Sequence, residues 1–293
     1  MEHDFHSLTG SQPGESEQGL ARRDFVRLSL GAGFAAAVLP VMAQSVITTD
    51  SNGLDQASIN LDVAGQSVPV YYAKPAGKMN LPIVLVVSEI FGVHQHIADV
   101  ARRFAKQGYL ALAPDLFVRQ GDAQKYTVIA ELIKEVISKV PDQQVMNDLD
   151  AVVAWAEKNG GDSKRLAVTG FCWGGRITWM YAAHNPKVKT GAAWYGRLAG
   201  AGNALTPTNP IDIAADLKAP ILGLYGAKDT GIPVDTVKQM EQALAKGKSG
   251  SQFQVYADSG HAFHADYRPS YNATDAQDAW QRCLAWFKQH GVS

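Results

Sequence analysis

Apolar and polar positions along this chain switch between two periods, and the switches lay out a fold. Residues 58–63 and 67–73 alternate one by one and are split by Ala64-Gly65-Gln66, which predicts an antiparallel hairpin at a sheet edge. Residues 82–87 form an unbroken apolar run, as a strand covered on both faces would. A helical period over 97–107 ends at Gly108, and a strand over 109–113 ends at Pro114-Asp115. Two helices are expected over 124–139 and 143–158, separated by Pro141. Short apolar runs over 165–171, 190–195, 220–225 and 252–256 then alternate with helical patterns, including 235–246 and 273–290. This order predicts an α/β fold, a mostly parallel sheet flanked by helices on both faces, as a single domain over 44–293. Sites in such sheets gather at the carboxyl ends of strands.

The first 43 residues do not share the pattern. Ala21-Arg22-Arg23-Asp24-Phe25-Val26-Arg27 reads as a twin-arginine export signal, followed by an apolar run over 28–42 and by small residues at Val41-Met42-Ala43. Cleavage after Ala43 and a periplasmic destination are expected, with the twin-arginine translocase as the export partner and residues 1–20 as a disordered polar leader. The truly apolar part is too short to cross a bilayer, so no stable membrane anchor is expected.

Charge narrows the function classes. Lys plus Arg number 27 against 28 Asp plus Glu, a net charge of -1, so no overall field gathers nucleic acid or anionic lipid. The glycines at 196, 200 and 202 make no Gly-x-Gly-x-x-Gly after a strand, and no dinucleotide site is expected. His94-x-His96 and His261-x-x-His264 have ligand-like spacing without a third convergent ligand, so neither a metal nor another cofactor is expected. The expected partner is a small molecule.

The chemistry is concentrated at Gly170-Phe171-Cys172-Trp173-Gly174-Gly175. A strand running into Gly-x-Cys-x-Gly-Gly reads as the sharp strand-to-helix turn that lifts a nucleophile above an α/β sheet. The competing reading is a buried cysteine packed at a glycine-rich junction. Chain order favours the nucleophile: Asp229 and then His261 follow at successive strand ends, giving a Cys172, Asp229, His261 triad. The backbone N–H groups of Trp173 and Ile90 are the expected oxyanion donors. Trp194, Tyr195 and Tyr126 are placed at the substrate pocket, and Trp173 beside them. Cys283 falls on the apolar face of the last helix and is expected in the core, too far from Cys172 to pair with it. These residues alone leave Glu89 open between a site carboxylate and a solvated loop.

Four blocks together, Ser88-Glu89-Ile90-Phe91-Gly92-Val93, Ala113-Pro114-Asp115-Leu116-Phe117, Gly170 to Gly175 and Gly260-His261-Ala262-Phe263, resemble the dienelactone hydrolase family, the carboxymethylenebutenolidases of the α/β-hydrolase superfamily. The resemblance runs from Leu81 to the C-terminus. It implies an α/β-hydrolase fold, a Cys-His-Asp triad at Cys172, His261 and Asp229, and a glutamate at Glu89 that pairs with the resting thiol and helps to ionise it. A raised carboxyl pKa at a buried strand end suits that role. The implied reaction is hydrolysis of a small ester or lactone through a thioester acyl-enzyme. Other acyl transfer, thioesterase or peptidase-like chemistry on the same triad, or a noncatalytic binding scaffold, are the alternatives.

Two departures from the family bear on specificity. The position four residues after His261 is Ala265 where an arginine is expected, with Arg268 three further on, and no arginine lies between Gln120 and Lys164. Lys125 and Tyr126 are the nearest substitutes there, and Arg119 flanks the segment. With no bidentate carboxylate clamp evident, neutral and carboxylated substrates are expected to be hydrolysed about equally.

Overall fold

The computed structural model describes residues 47–293; the expected export signal and its cleavage point lie outside the described residues. Eight strands form one sheet in the order β1-β2-β4-β3-β5-β6-β7-β8. The edge hairpin joins β1 (Leu54–Val63) to β2 (Gln66–Pro75). Ala64 and Gly65 both take positive φ (54° and 79°), the paired left-handed conformation a two-residue hairpin needs, and Asp62 accepts from Gly65 N–H at 2.8 Å. The sheet then runs through β3 (Leu81–Val87), β4 (Leu110–Pro114), β5 (Gly161–Phe171), β6 (Val188–Trp194), β7 (Ile221–Gly226) and β8 (Gln252–Tyr256). From β4 to β8 every pairing is parallel, while β2 pairs antiparallel with β1 and β4. Every residue of β3, β4 and β7 is buried, which is why those segments read as unbroken apolar runs.

The connection from β3 to β4 runs one way along the sheet, and those from β4 to β5 and onward run the other. Right-handed crossovers therefore place helix α1 (Gln95–Lys106) on one face and α3 (Asp142–Lys158) and α4 (Trp173–His184) on the opposite face. The C-terminal helix α7 (Ala273–Gln289) returns to the α1 side, where Phe104 stacks on Trp280 and Phe287 with ring centroids 4.5 and 6.0 Å apart. Cys283 is fully buried on α7, with its thiol pushed well up by burial alone, and both cysteines are free.

The direction change falls at β3, whose neighbour β5 carries the glycine-rich turn. Loops leaving adjacent strands on opposite sides of such a switch open a crevice between them. Residues 88–94 and 172 flank it.

One element differs from expectation. The helix expected over 124–139 is two single turns at Ala123–Lys125 and Ile137–Lys139, with a short helix α2 (Ile129–Glu135) between. β-branched Thr127 and Val128 disfavour helix, and Val136 leaves helical geometry (φ -120°, ψ -65°) to bury its side chain fully. This break swings Ile133, Ile137 and Ser138 over the crevice.

Candidate active site

Cys172 stands alone at the apex of the turn between β5 and α4, with φ 55° and ψ -111°. A non-glycine residue held there costs about 1–3 kcal/mol and persists only where its surroundings fix it. Its N–H donates to Trp194 O (2.9 Å), and its carbonyl accepts from Gly175 N–H (3.0 Å) and Arg176 N–H (3.3 Å). The flanking glycines are steric requirements: a Cβ on Gly174 would stand 2.3 Å from Val87 O, and one on Gly170 would stand 2.2 Å from Gly174 O. The spacing that identified the turn in the sequence is thus the close passage of α4 over β3 and β5.

His261 comes from the loop after β8, and Asp229 from the loop after β7. His261 Nδ1 lies 2.7 Å from Asp229 Oδ2 with both side chains buried, and Asp229 Oδ1 is fixed by Gly231 N–H (2.9 Å) and Ile232 N–H (3.1 Å). With Nδ1 committed to the carboxylate, Nε2 is the ring nitrogen left to act toward Cys172, whose charge is felt at the imidazole. Burial alone would lower the His261 pKa. Negative charge at Cys172, together with the hydrogen bonds from Asp229 and Cys172, outweighs it and raises the imidazole to about 10.

Glu89 is buried at the end of β3, but its partners are not those expected. Its Oε2 lies 3.3 Å from His94 Nε2, and its Oε1 accepts from Tyr267 OH at 3.5 Å. Burial would raise its pKa, yet the hydrogen bond and charge of His94 and the charge of His96 bring it down to about 2. The expectation of a raised carboxyl is therefore corrected: the loop at 88–94 folds its own histidine back onto the carboxylate. His94 and His96 are taken up in such pairs, His96 with Asp266 at 3.0 Å, and His264 stacks on Phe171.

A cavity of about 340 Å3 opens over Cys172. Ile90, Ile133, Ile137, Trp173 and Ile232 form its apolar wall, Tyr195 and Cys172 its floor, and Ser138, Arg176, Arg197, Asn203 and Thr206 its polar side. Ile90 and Trp173 thus flank the thiol, and Trp173 is the first residue of α4, where a helix leaves N–H groups without internal acceptors.

The remaining pocket expectations divide. Tyr195 lies at the cavity with φ 39°, its ring edge-on to His261 at 5.2 Å. Trp194, the preceding residue, points the other way: it is fully buried, with its indole N–H on Thr169 Oγ1 at 3.0 Å, and does not line the cavity. Tyr126 is not at this wall either, because the break before α2 leaves it packed against the core. Of the cations considered in the sequence, Arg119 is clamped bidentately to Asp148 (2.5 and 2.8 Å), and Lys125 is an exposed partner of Asp122 at 3.6 Å. Arg268 is buried over the rings of Phe91 and Tyr267 at 4.9 and 5.1 Å. Among the described residues, Arg197 and Arg176, neither anticipated from the sequence, are the arginines at the cavity. Arg197 follows β6 by three residues, and the rule that sites lie at carboxyl strand ends was the signal for it.

Comparison with known proteins assigns the family. The profile of the "Dienelactone hydrolase family" matches residues 68–291. A Methylorubrum extorquens protein named "Putative carboxymethylenebutenolidase" is 57% identical over 275 residues, covering 94% of each chain. An Escherichia coli K12 protein of the same name is 51% identical over 261 residues, covering 89% of this chain and 96% of the relative. The crystal structure of a Klebsiella pneumoniae "Putative Dienelactone Hydrolase" superposes with a TM-score of 0.79 at 54% identity, covering 80% of this chain and 99% of that one. With the fold, the matched residues and the close relatives in agreement, the chain belongs to the dienelactone hydrolase family and is a hydrolase of the α/β-hydrolase fold.

Proposed function

We propose that this hydrolase cleaves a small ester or lactone with Cys172 as nucleophile, His261 as proton carrier and Asp229 as the group that orients it. One observation carries the reading: the buried His261–Asp229 pair acts electrostatically on Cys172, which lies at a cavity of about 340 Å3, large enough for a small substrate. Cys172 Sγ attacks the carbonyl carbon as its proton passes to His261 Nε2. The oxyanion is held by the N–H groups of Trp173 and Ile90. Collapse of this intermediate breaks the C–O bond, and the imidazolium gives its proton to the leaving oxygen, leaving a thioester on Cys172. Water, deprotonated by His261, then attacks the thioester carbonyl and releases the acid and the thiol.

Asp229, oriented by its two backbone N–H partners, neutralises the imidazolium that forms twice per turnover. Glu89, occupied by His94 and Tyr267, is a fixed negative charge beside the site rather than the acceptor of the thiol proton in this reading. The names of the close relatives, carboxymethylenebutenolidases, support a lactone as the substrate class.

Limited alkylation with iodoacetamide tests the proposal. Hydrolysis of a small aryl ester is expected to fall in step with one modified thiol per chain, located at Cys172, because Cys283 is fully buried. Activity that survives complete modification of Cys172 would contradict it.

A further inference from the structure

Among the described residues, the cavity over Cys172 is lined by two arginines and by no carboxylate. Arg176 belongs to the scaffold: it is buried, bidentate to Asp142 (2.7 and 2.7 Å), and also donates to Thr208 O at 2.7 Å. Arg197 is different. It is exposed at the cavity wall on the loop after β6, lies along Gly200 of its own loop, and forms no ion pair with any Asp or Glu among the described residues. Asp142 is the acid nearest in effect, but both its oxygens are taken by Arg176, whose own charge presses against Arg197. Partial withdrawal from water along the cavity wall and that repulsion both lower the Arg197 pKa, so the guanidinium gains from any anion that reaches it.

An uncompensated guanidinium facing a mostly apolar cavity contributes little to packing, yet it offers a planar fork of donors that fits a carboxylate. We propose that Arg197 is a specificity-determining residue: it binds a carboxylate carried by the ester or lactone while the scissile carbonyl lies over Cys172. The inference rests on the function proposed above for this cavity. It also reverses the expectation, drawn from the missing arginines, that neutral and carboxylated substrates fare equally. The cation is supplied from the loop after β6 instead of from the segments after β4 or after His261.

A matched pair of esters tests it: mono-4-nitrophenyl glutarate, which is anionic, and its methyl ester, which is neutral and one methyl longer. The native protein is expected to favour the anionic ester in kcat/KM by about tenfold to a hundredfold, the range of a charge-assisted bidentate pair. In Arg197→Ala that ratio should fall to near one, and Arg197→Lys should keep part of it. A native ratio near one, or an unchanged ratio in Arg197→Ala, would overturn the proposal. Glutarate binding to Cys172→Ala, followed by calorimetry, provides a readout that needs no turnover. It should weaken about tenfold or more when Arg197→Ala is added, and equal binding with and without Arg197 would equally overturn the proposal. Absence of turnover on both esters would count against the proposed function, while the glutarate titration would still decide the role of Arg197.

Discussion

Cys172→Ala is expected to lower kcat/KM for a small ester or lactone by about 10^4-fold or more, the scale on which hydrolases lose rate when the nucleophile is removed. The loss should not come from unfolding. Cys172 is held by its backbone, through Trp194 O and the N–H groups of Gly175 and Arg176, and those bonds do not involve its side chain. Cys172→Ser should retain little of the activity, because a hydroxyl is far less acidic than a thiol at a site where proton transfer to His261 must be easy. Cys283→Ala should show the opposite behaviour, keeping turnover while losing about 1 kcal/mol or more of stability to a cavity in the α7 interface. Steady-state kinetics with thermal unfolding on the same four proteins separates these outcomes. A fully active Cys172→Ala would end the assignment of the nucleophile.

Asp229→Asn should cost about 10^3- to 10^4-fold in kcat, because an amide in this position favours the wrong tautomer of the histidine and no longer neutralises its cation. The pH profile adds a direction. His261 is raised to about 10 by charge at Cys172 and by its hydrogen bonds with Asp229 and Cys172, against the effect of burial. The imidazolium proton needed by the leaving oxygen is therefore present below about pH 10 and lost above it, and kcat/KM should fall along an alkaline limb there. Removing the Asp229 charge removes one of the influences that raise the histidine, so the limb of Asp229→Asn must move to lower pH. A limb that stays in place, or moves up, would show that Asp229 does not act on His261 electrostatically.

The parts of the site written in local sequence were legible and the parts made by loop return were not. Gly170 and Gly174 could be read because no other residue fits where α4 passes β3 and β5. The strand ends bearing Asp229 and His261 follow in chain order, so their meeting required only the fold. At Trp194 and Tyr195 strand geometry decides. Successive residues at a strand end point to opposite faces, so only one of the two belongs at the cavity. Tyr195 lines it, while Trp194 turns down onto Thr169. Glu89 lay beyond that reading because its charge state depends on His94, five residues later, folding back across a turn. Its other partner, Tyr267, comes from a distant loop. The break that interrupts the helix expected over 124–139 is likewise a tertiary effect, since Val136 leaves helical geometry to reach the core. Arg197 was not legible because the family resemblance points to cations at other positions, while this one stands on the loop that leaves β6.

The central claim is that acyl transfer passes through a thioester on Cys172. The most direct measurement is mass spectrometry of protein acid-quenched during turnover of mono-4-nitrophenyl glutarate, followed by peptide mapping. The account predicts a glutaryl adduct confined to the peptide containing Cys172, present in the native protein, more persistent in Asp229→Asn and missing from Cys172→Ala. Turnover with an unmodified Cys172 at every quench time, or an adduct on another residue, would contradict it.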